Sequence, residues 1–281
     1  MNLPAPPAPA LMTELAALAA CPRADGYACI TARHEHGAKA VDVEQPALAI
    51  VLQGRKRVQG TAQRMEFAAG QVFAMLRRCR LDVVNLPDPH GGLYLTLTIP
   101  LCEQVLDAAR LLWDAPVTAA DDEFARLELA ALERPLRQWL HALRGGDYPQ
   151  ARAALAMLVV DLCRAGFTGL LLPPPPSVAA RVRAQVAADP AHGWQSGDFE
   201  RALGLSGATL RRRLAAEGTT LREVVAGARL ACAMELLYTT RWPIKTVAAR
   251  VGYRSAASFV RRFGERYGMD PGQIGNAQPG H

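Results

Sequence analysis

No two of the six cysteines, at positions 21, 29, 79, 102, 163 and 232, form a CxxC pair, and their spacing suits neither a disulfide scaffold nor a structural zinc site. They read as buried free thiols in a reducing cytosol. The chain has no GxSxG, no P-loop and no GxGxxG, so nothing in it supports nucleophilic catalysis. Its first residues, "MNLPAPPAPA", lack a positive segment and a clean apolar core, so no secretory signal is expected. The most apolar later run, residues 155–172, is interrupted by Asp161 and Arg164 and is too short to span a bilayer. These absences leave a cytoplasmic protein as the expectation, with no membrane partner, no cofactor and no enzyme activity.

Half of the 281 residues are hydrophobic and 21% are charged, the composition of a globular protein with room for two domains. The net charge of +6 is unevenly placed. From Val178 onward there are fifteen Lys and Arg against eight Asp and Glu, a net of +7, while the remainder holds 17 basic and 18 acidic residues, a net of −1. A basic module beside a neutral one suggests a polyanion-binding part joined to something else. Pro173, Pro174, Pro175 and Pro176 lie where the balance changes and cannot continue a helix. The expected division is therefore a domain over residues 1–172, a proline linker over 173–177 and a second domain over 178–281.

The first domain has two textures. Over about residues 27–98, the runs "YACITARH", "ALAIVLQG", "QVFAML", "LDVVNL" and "LYLTLTI" alternate with turn signals at His36-Gly37, Gly54 with "RKR", Ala69-Gly70 and "PDPHGG". Short strands at this spacing predict an antiparallel sandwich or small barrel. Over about residues 101–167, including "DDEFARLELAALERPLRQWLHAL", apolar spacings of three and four predict helices. Those after Asp121 are candidates for a homodimer contact or for a cover over the strands.

The second domain reads as helical and contains an internal repeat. "FERALGLSGATLRRRLAAEG" and "VAARVGYRSAASFVRRFGERYG" each give a short helix, a glycine turn, a serine cap and a second helix. With Leu210 and Leu214 facing the core, a step of about 100° per residue points Arg212 outward and puts Arg211 and Arg213 on its flanks. In the second copy Phe259 and Phe263 face inward and Arg261 outward, flanked by Val260 and Arg262. Ala208 and Ala257 sit beside the outward arginines and allow close approach. A central arginine can bind a guanine edge bidentately while its neighbours meet phosphates. The candidate DNA-binding residues are Ser206, Gly207, Ala208, Thr209, Arg211, Arg212 and Arg213 in the first copy. In the second they are Arg254, Ser255, Ala257, Ser258, Arg261 and Arg262. Residues 220–239 between the copies predict one helix roughly 30 Å long. That strut suits two reading heads in consecutive major grooves about 34 Å apart.

Residues 180–274 resemble the DNA-binding domain of the AraC/XylS family of bacterial transcription regulators. The resemblance rests on "LGLSGATLRRRLAAEGTTLREVV", on Gly252-Tyr253-Arg254-Ser255, on Phe259 with Phe263, and on Gly268-Met269-Asp270-Pro271. Arg229 on the connecting helix matches a typical arginine of structural role. Ala256 and Ala257 stand where members often carry polar residues, which implies sparser base readout by the second head. "PALAIVLQGRKRV" resembles the cupin-like sensor domain of such regulators. The resemblance implies a two-domain α+β protein: a cupin-like β-barrel with flanking helices, then an all-α domain with two helix-turn-helix motifs joined by a long helix. It implies a transcription activator that binds double-stranded DNA, contacts RNA polymerase, and is controlled by a small-molecule effector or a regulatory protein.

His34-Glu35-His36 raises the alternative of a metal-dependent cupin enzyme with a DNA-binding appendage. Gly26 and Glu44 are too far away for that pattern, and His90 sits in a proline-glycine turn, so the histidines read instead as solvent-facing strand residues. "GRKR" at 54–57 and "RRCR" at 77–80 could bind an acidic effector, but a polar turn or strand end is the plainer reading.

Overall fold

The computed structural model describes residues 9–19, 26–118, 122–173 and 177–274. The opening eight residues, Cys21, Asp121 and the linker prolines Pro174, Pro175 and Pro176 lie outside the described residues. The chain divides into two units, Met1–Pro173 and Pro174–His281.

The first unit begins with helix α1 (Pro9–Ala19), followed by eight strands: β1 (Ala28–Ala32), β2 (His36–Val43), β3 (Ala47–Gln53), β4 (Arg55–Gln59), β5 (Arg64–Ala68), β6 (Gln71–Met75), β7 (Cys79–Leu86) and β8 (Tyr94–Pro100). Helix α2 (Glu103–Leu112), strand β9 (Phe124–Glu128) and helices α3 (Glu133–Arg144) and α4 (Tyr148–Arg164) complete it. All described strand pairings are antiparallel, in one sheet of order β1-β8-β3-β6-β9 and another of order β2-β7-β4-β5.

The nine described strands thus form two stacked sheets, and among the described residues no backbone hydrogen bonds close the expected barrel. The chain crosses between sheets at corners instead. Gly54 makes the corner from β3 to β4 with φ +76°, and a Cβ there would come within 2.4 Å of the Leu86 carbonyl, so both conformation and space demand glycine.

The central strand shows why this sequence needs three layers. In β3, Ala47, Ala49 and Val51 pack between the sheets, while Leu48, Ile50 and Leu52 pack under helices. A strand buried on both faces reads as an unbroken apolar run, as "ALAIVL" does. On the helix side, Leu11 and Leu15 of α1, Val105 and Leu106 of α2, Trp139 of α3 and Leu158 of α4 share one core. Helix α1 was not anticipated, although Leu11, Leu15 and Leu18 recur at helical spacing.

Two sequence expectations need correction. The apolar spacing over about residues 101–167 predicts helices, yet β9 lies within them. Phe124 enters the inter-sheet core against Phe73, and Ala125 and Leu127 pack on the helix side. The backbone groups of β6 would otherwise be an open edge, and pairing with β9 satisfies them. The second correction concerns "GRKR" and His36-Gly37, whose composition signals turns. Only Gly54 turns, "RKRVQ" is strand β4, and His36-Gly37 opens β2.

Among the described residues, Cys29, Cys79, Cys102, Cys163 and Cys232 are free, with Cys163 buried and the others half-buried. No described helix is long and apolar enough to cross a membrane.

The second unit is helical: α5 (Val178–Ala188), α6 (Ser196–Leu203), α7 (Gly207–Ala216), α8 (Leu221–Thr239), α9 (Ile244–Arg250) and α10 (Ala256–Tyr267). Val182, Val186, Phe199, Leu210, Leu214, Val224 and Ala228 form the core of its first half. In the second half Tyr253, Phe259, Phe263 and Tyr267 form a ladder with successive ring centroids 5.5, 5.5 and 4.8 Å apart.

Candidate nucleic-acid interface

Two helix-turn-helix motifs are present, α6 with α7 and α9 with α10. Each second helix starts at a serine that satisfies an otherwise unpaired backbone donor. Ser206 accepts from the Thr209 amide at 3.3 Å, and Ser255 accepts from the Ser258 amide at 3.1 Å. The serines are exposed beside their turns, and the Ser206 hydroxyl also donates to the Thr209 hydroxyl at 3.0 Å.

Packing fixes which face of each helix looks outward. Leu210, Leu214, Phe259 and Phe263 are at most 1% exposed. Ala208, Arg211, Arg212 and Arg213 on α7 are exposed, as are Ala257, Arg261 and Arg262 on α10 and Arg254 in the preceding turn. Gly207, Thr209 and Ser258 are half-buried.

The two faces differ electrostatically. Among the described residues, no carboxylate pairs with Arg211, Arg212 or Arg213. On α10, Glu265 holds Arg261 at 3.0 Å and Arg262 at 3.5 Å. Such exposed pairs are weak and yield readily to a stronger anion.

The joint between the motifs is Arg229 of α8. Its guanidinium donates to the carbonyls of Pro190 at 3.0 Å and His192 at 2.7 Å, tying the connecting helix to the loop ahead of α6. It also reaches the turn of the second motif. Gly252 there has φ +79°, and a Cβ would lie 2.7 Å from the Pro190 carbonyl and 3.0 Å from the Arg229 guanidinium. A glycine turn and one arginine therefore brace both motifs against α8. That helix has 19 residues and so is about 28 Å long. It is started by a reciprocal cap between Thr220 and Glu223.

Glu217, just past α7, was not singled out from the sequence. Its carboxylate accepts from the Ser177 hydroxyl at 2.7 Å and from the Val178 and Ala179 amides at 2.7 and 3.0 Å, so it caps α5. Burial alone would raise this carboxyl. The hydrogen bonds from Ser177, Ala179 and Val178 and the nearby Arg183 outweigh that and hold it below the ordinary glutamate value. No local pattern announces a contact across 40 residues.

The histidine motif of the first unit separates. His34 lies exposed in a bend, whereas His36 is 6% exposed at the start of β2, so His36 is not the solvent-facing residue expected. Its Nε2 accepts from the Asn85 amide at 3.3 Å, and its Nδ1 faces the His34 carbonyl at 3.3 Å. Among the described residues no three metal-ligating side chains come together. From "GRKR", Arg55 and Arg57 pair with Glu66 at 2.9 and 3.4 Å on the outer face, and Lys56 turns inward to 4% exposure. The strand alternation of Lys56 with Val58 is the signal that could have found this. From "RRCR", Arg78 and Arg80 pair with Glu44 and Asp42 at 3.4 and 2.9 Å.

A family model described as a helix-turn-helix domain matches residues 200–277. The transcriptional activator CfaD of Escherichia coli is 30% identical over 94 residues, 34% of this chain and 36% of that protein. The transcriptional regulator GadX of Escherichia coli is 31% identical over 131 residues, 46% of this chain and 48% of that protein. The chain thus spans about a third to a half of the length of these curated relatives. Among solved structures, apo ToxT K231A of Vibrio cholerae is similar with a TM-score of 0.63 and 10% identity, covering 89% of this chain and 97% of that one. That likeness shows a shared fold, with a sheet-rich first domain and a helical second one.

Proposed function

We propose that this chain, whose last third is a helix-turn-helix DNA-binding domain of the AraC/XylS kind, is a sequence-specific transcription regulator acting in the cytoplasm, most simply as an activator that contacts RNA polymerase. The observation that carries the reading is the matched pair of capped helices, each with its apolar face locked inward and its arginines exposed. Its named relatives are transcription regulators. In this reading Arg212 and Arg261 enter successive major grooves. Arg211, Arg213, Arg254 and Arg262 meet phosphates, as do Ser206, Gly207, Thr209, Ser255 and Ser258 near the helix starts, where backbone amides favour anions. Ala208 and Ala257 leave room for the bases. The first domain receives the controlling signal, from a small molecule or a regulatory protein, and its helices α3 and α4 are available for a homodimer contact.

Selection of random DNA by purified variants tests the interface. Arg212→Ala should relax base preference in one sequence box and Arg261→Ala in the other, each at a cost of about 1–3 kcal/mol at the affected position. Arg213→Ala and Arg262→Ala should weaken binding to all sequences alike. If both outward variants change the same box, two-groove binding is wrong; if neither changes any, base readout lies elsewhere.

A further inference from the structure

The two helix-turn-helix motifs share a tryptophan that only the second leaves on the surface. Gly204 and Gly252 stand in the two turns, and ten residues before each lies a tryptophan, Trp194 and Trp242. Trp194 packs against a core. Its ring stacks on Phe199 with centroids 5.1 Å apart, and its indole N–H donates to the Asp189 carbonyl at 2.8 Å. In the second motif Val247 stands where the first has Phe199, and Arg250 where it has Ala202. Val247 offers no ring to stack on. Trp242 is 36% exposed and carries the Arg250 guanidinium instead, 5.3 Å from its ring centroid.

Helix geometry gathers these groups on one face. Val247 and Ala248 of α9 are buried, while Lys245, Thr246, Ala249 and Arg250 are exposed, as is Arg241 just ahead of the helix. Helical side chains lean toward the N-terminus, which brings Arg250 back over Trp242. The stack steadies a long side chain yet leaves its N–H donors open at the rim. Among the described residues no carboxylate pairs with Arg241, Lys245 or Arg250, and no acceptor holds the Trp242 indole N–H. The surrounding charge is of one sign. Between Glu235 and Glu265 the chain carries six Lys and Arg and no Asp or Glu. The matching residues 188–216 of the first motif carry four arginines against Asp189, Asp198 and Glu200. On α6 Asp198 holds Arg201 at 2.8 Å, and Glu200 accepts from the Ser196 hydroxyl at 2.7 Å.

We propose that Trp242 and Arg250, with Arg241 and Lys245, clamp the DNA sugar-phosphate backbone beside the second sequence box, a grip with no counterpart in the first motif. In a helix-turn-helix the second helix lies in the groove while the first crosses the backbone, and α9 carries this face. A run of cations without carboxylates suits a polyanion, and a guanidinium steadied by a ring presents its fork to phosphate oxygens. Phosphate contacts position a protein without reading sequence. The second motif thus adds grip where its base readout is sparse, with alanines at 256 and 257 and with Glu265 holding both arginines of α10. The clamp rests on the DNA-binding reading and adds to it residues outside the two reading helices.

Fluorescence anisotropy of the full chain tests it, on a selected duplex and a random one, at 50 and 200 mM salt. Arg250→Ala should weaken binding to both duplexes alike. It should also shrink the fall in affinity across that salt range by about 3.5-fold, the share of one phosphate. Trp242→Ala removes no charge, yet it should shrink the fall as well, because it releases Arg250. Trp242→Phe keeps a ring and should restore the parent's behaviour. Arg201→Ala on α6 removes a cation already held by Asp198 and should leave the salt dependence unchanged. Phosphate ethylation beside the second box should interfere with the parent and not with Arg250→Ala. An unchanged salt dependence in Arg250→Ala, a loss confined to one duplex, an equal loss from Arg201→Ala, or a Trp242→Phe that behaves like Trp242→Ala overturns the clamp. Variants that bind duplex like the parent but fail to drive transcription give the face to a protein partner and overturn it too. A parent that binds no duplex sinks the regulator reading and the clamp with it, whereas unaltered variants of a binding parent sink the clamp alone.

Discussion

Lys56 sets the sign of a pH dependence. An unfolded lysine titrates near 10.5, while burial brings the folded one to about 8. Between those values the folded chain binds fewer protons than the unfolded chain, so stability rises with pH. Cys29, Cys79 and Cys163, each pushed up to about 11 by burial, act in the opposite sense above pH 9. The clean window is therefore pH 8 to 9, and subtracting a Lys56→Met variant removes the cysteines from the comparison. Denaturant melts of the first domain's transition should show the parent gaining stability on the variant as the pH rises through that window. A constant difference would mean that Lys56 is not buried as a cation.

At the scale of the element, the second helix of each motif depends on one anchor. Leu214 and Phe263 are 0% exposed and hold α7 and α10 to their cores. Leu214→Ala and Phe263→Ala should each cost about 2–5 kcal/mol, because a cavity adds to the lost burial. A variant that melts like the parent would show the helix to be rotated, and the outward place of its arginines would fail with it. These anchors were legible in the sequence. Their spacing of four fixes a helical face, and the serine caps and glycine turns fix where each helix begins. Arg229 was legible as structural. Its two carbonyl partners, and its approach to Gly252, were not, because neither lies within a turn of it along the chain.

For the whole molecule, the surplus of positive charge lies entirely in the second unit. A fragment from Ser177 to the end keeps Ser177 with Glu217, both motifs and their cores. It should fold alone and bind DNA, with affinity falling steeply as salt is added. If six phosphates are neutralised, the loss between 50 and 200 mM salt should be about a thousandfold. Fluorescence anisotropy against labelled duplex measures this directly, and a salt-insensitive fragment would show that the arginine faces are not the interface.

The sequence alone settled the α+β class, the helical second domain and its two helix-turn-helix motifs. Helix hydrogen bonds close within four residues, so period, caps and stops are written locally. It also settled β3, whose unbroken apolar run requires cover on both faces. Tertiary structure decided what depended on distant partners. Residues 124–128 became a strand because β6 offered an unpaired edge, although their own spacing also fits a helix. Gly54 carries the chain across the corner from β3 to β4, and among the described strands β1 pairs with β8 while β2 pairs with β7, so the two sheets stay separate. The alternation of Lys56 with Val58 puts the two on one face, and pairing with β7 and β5 is what turned that face inward.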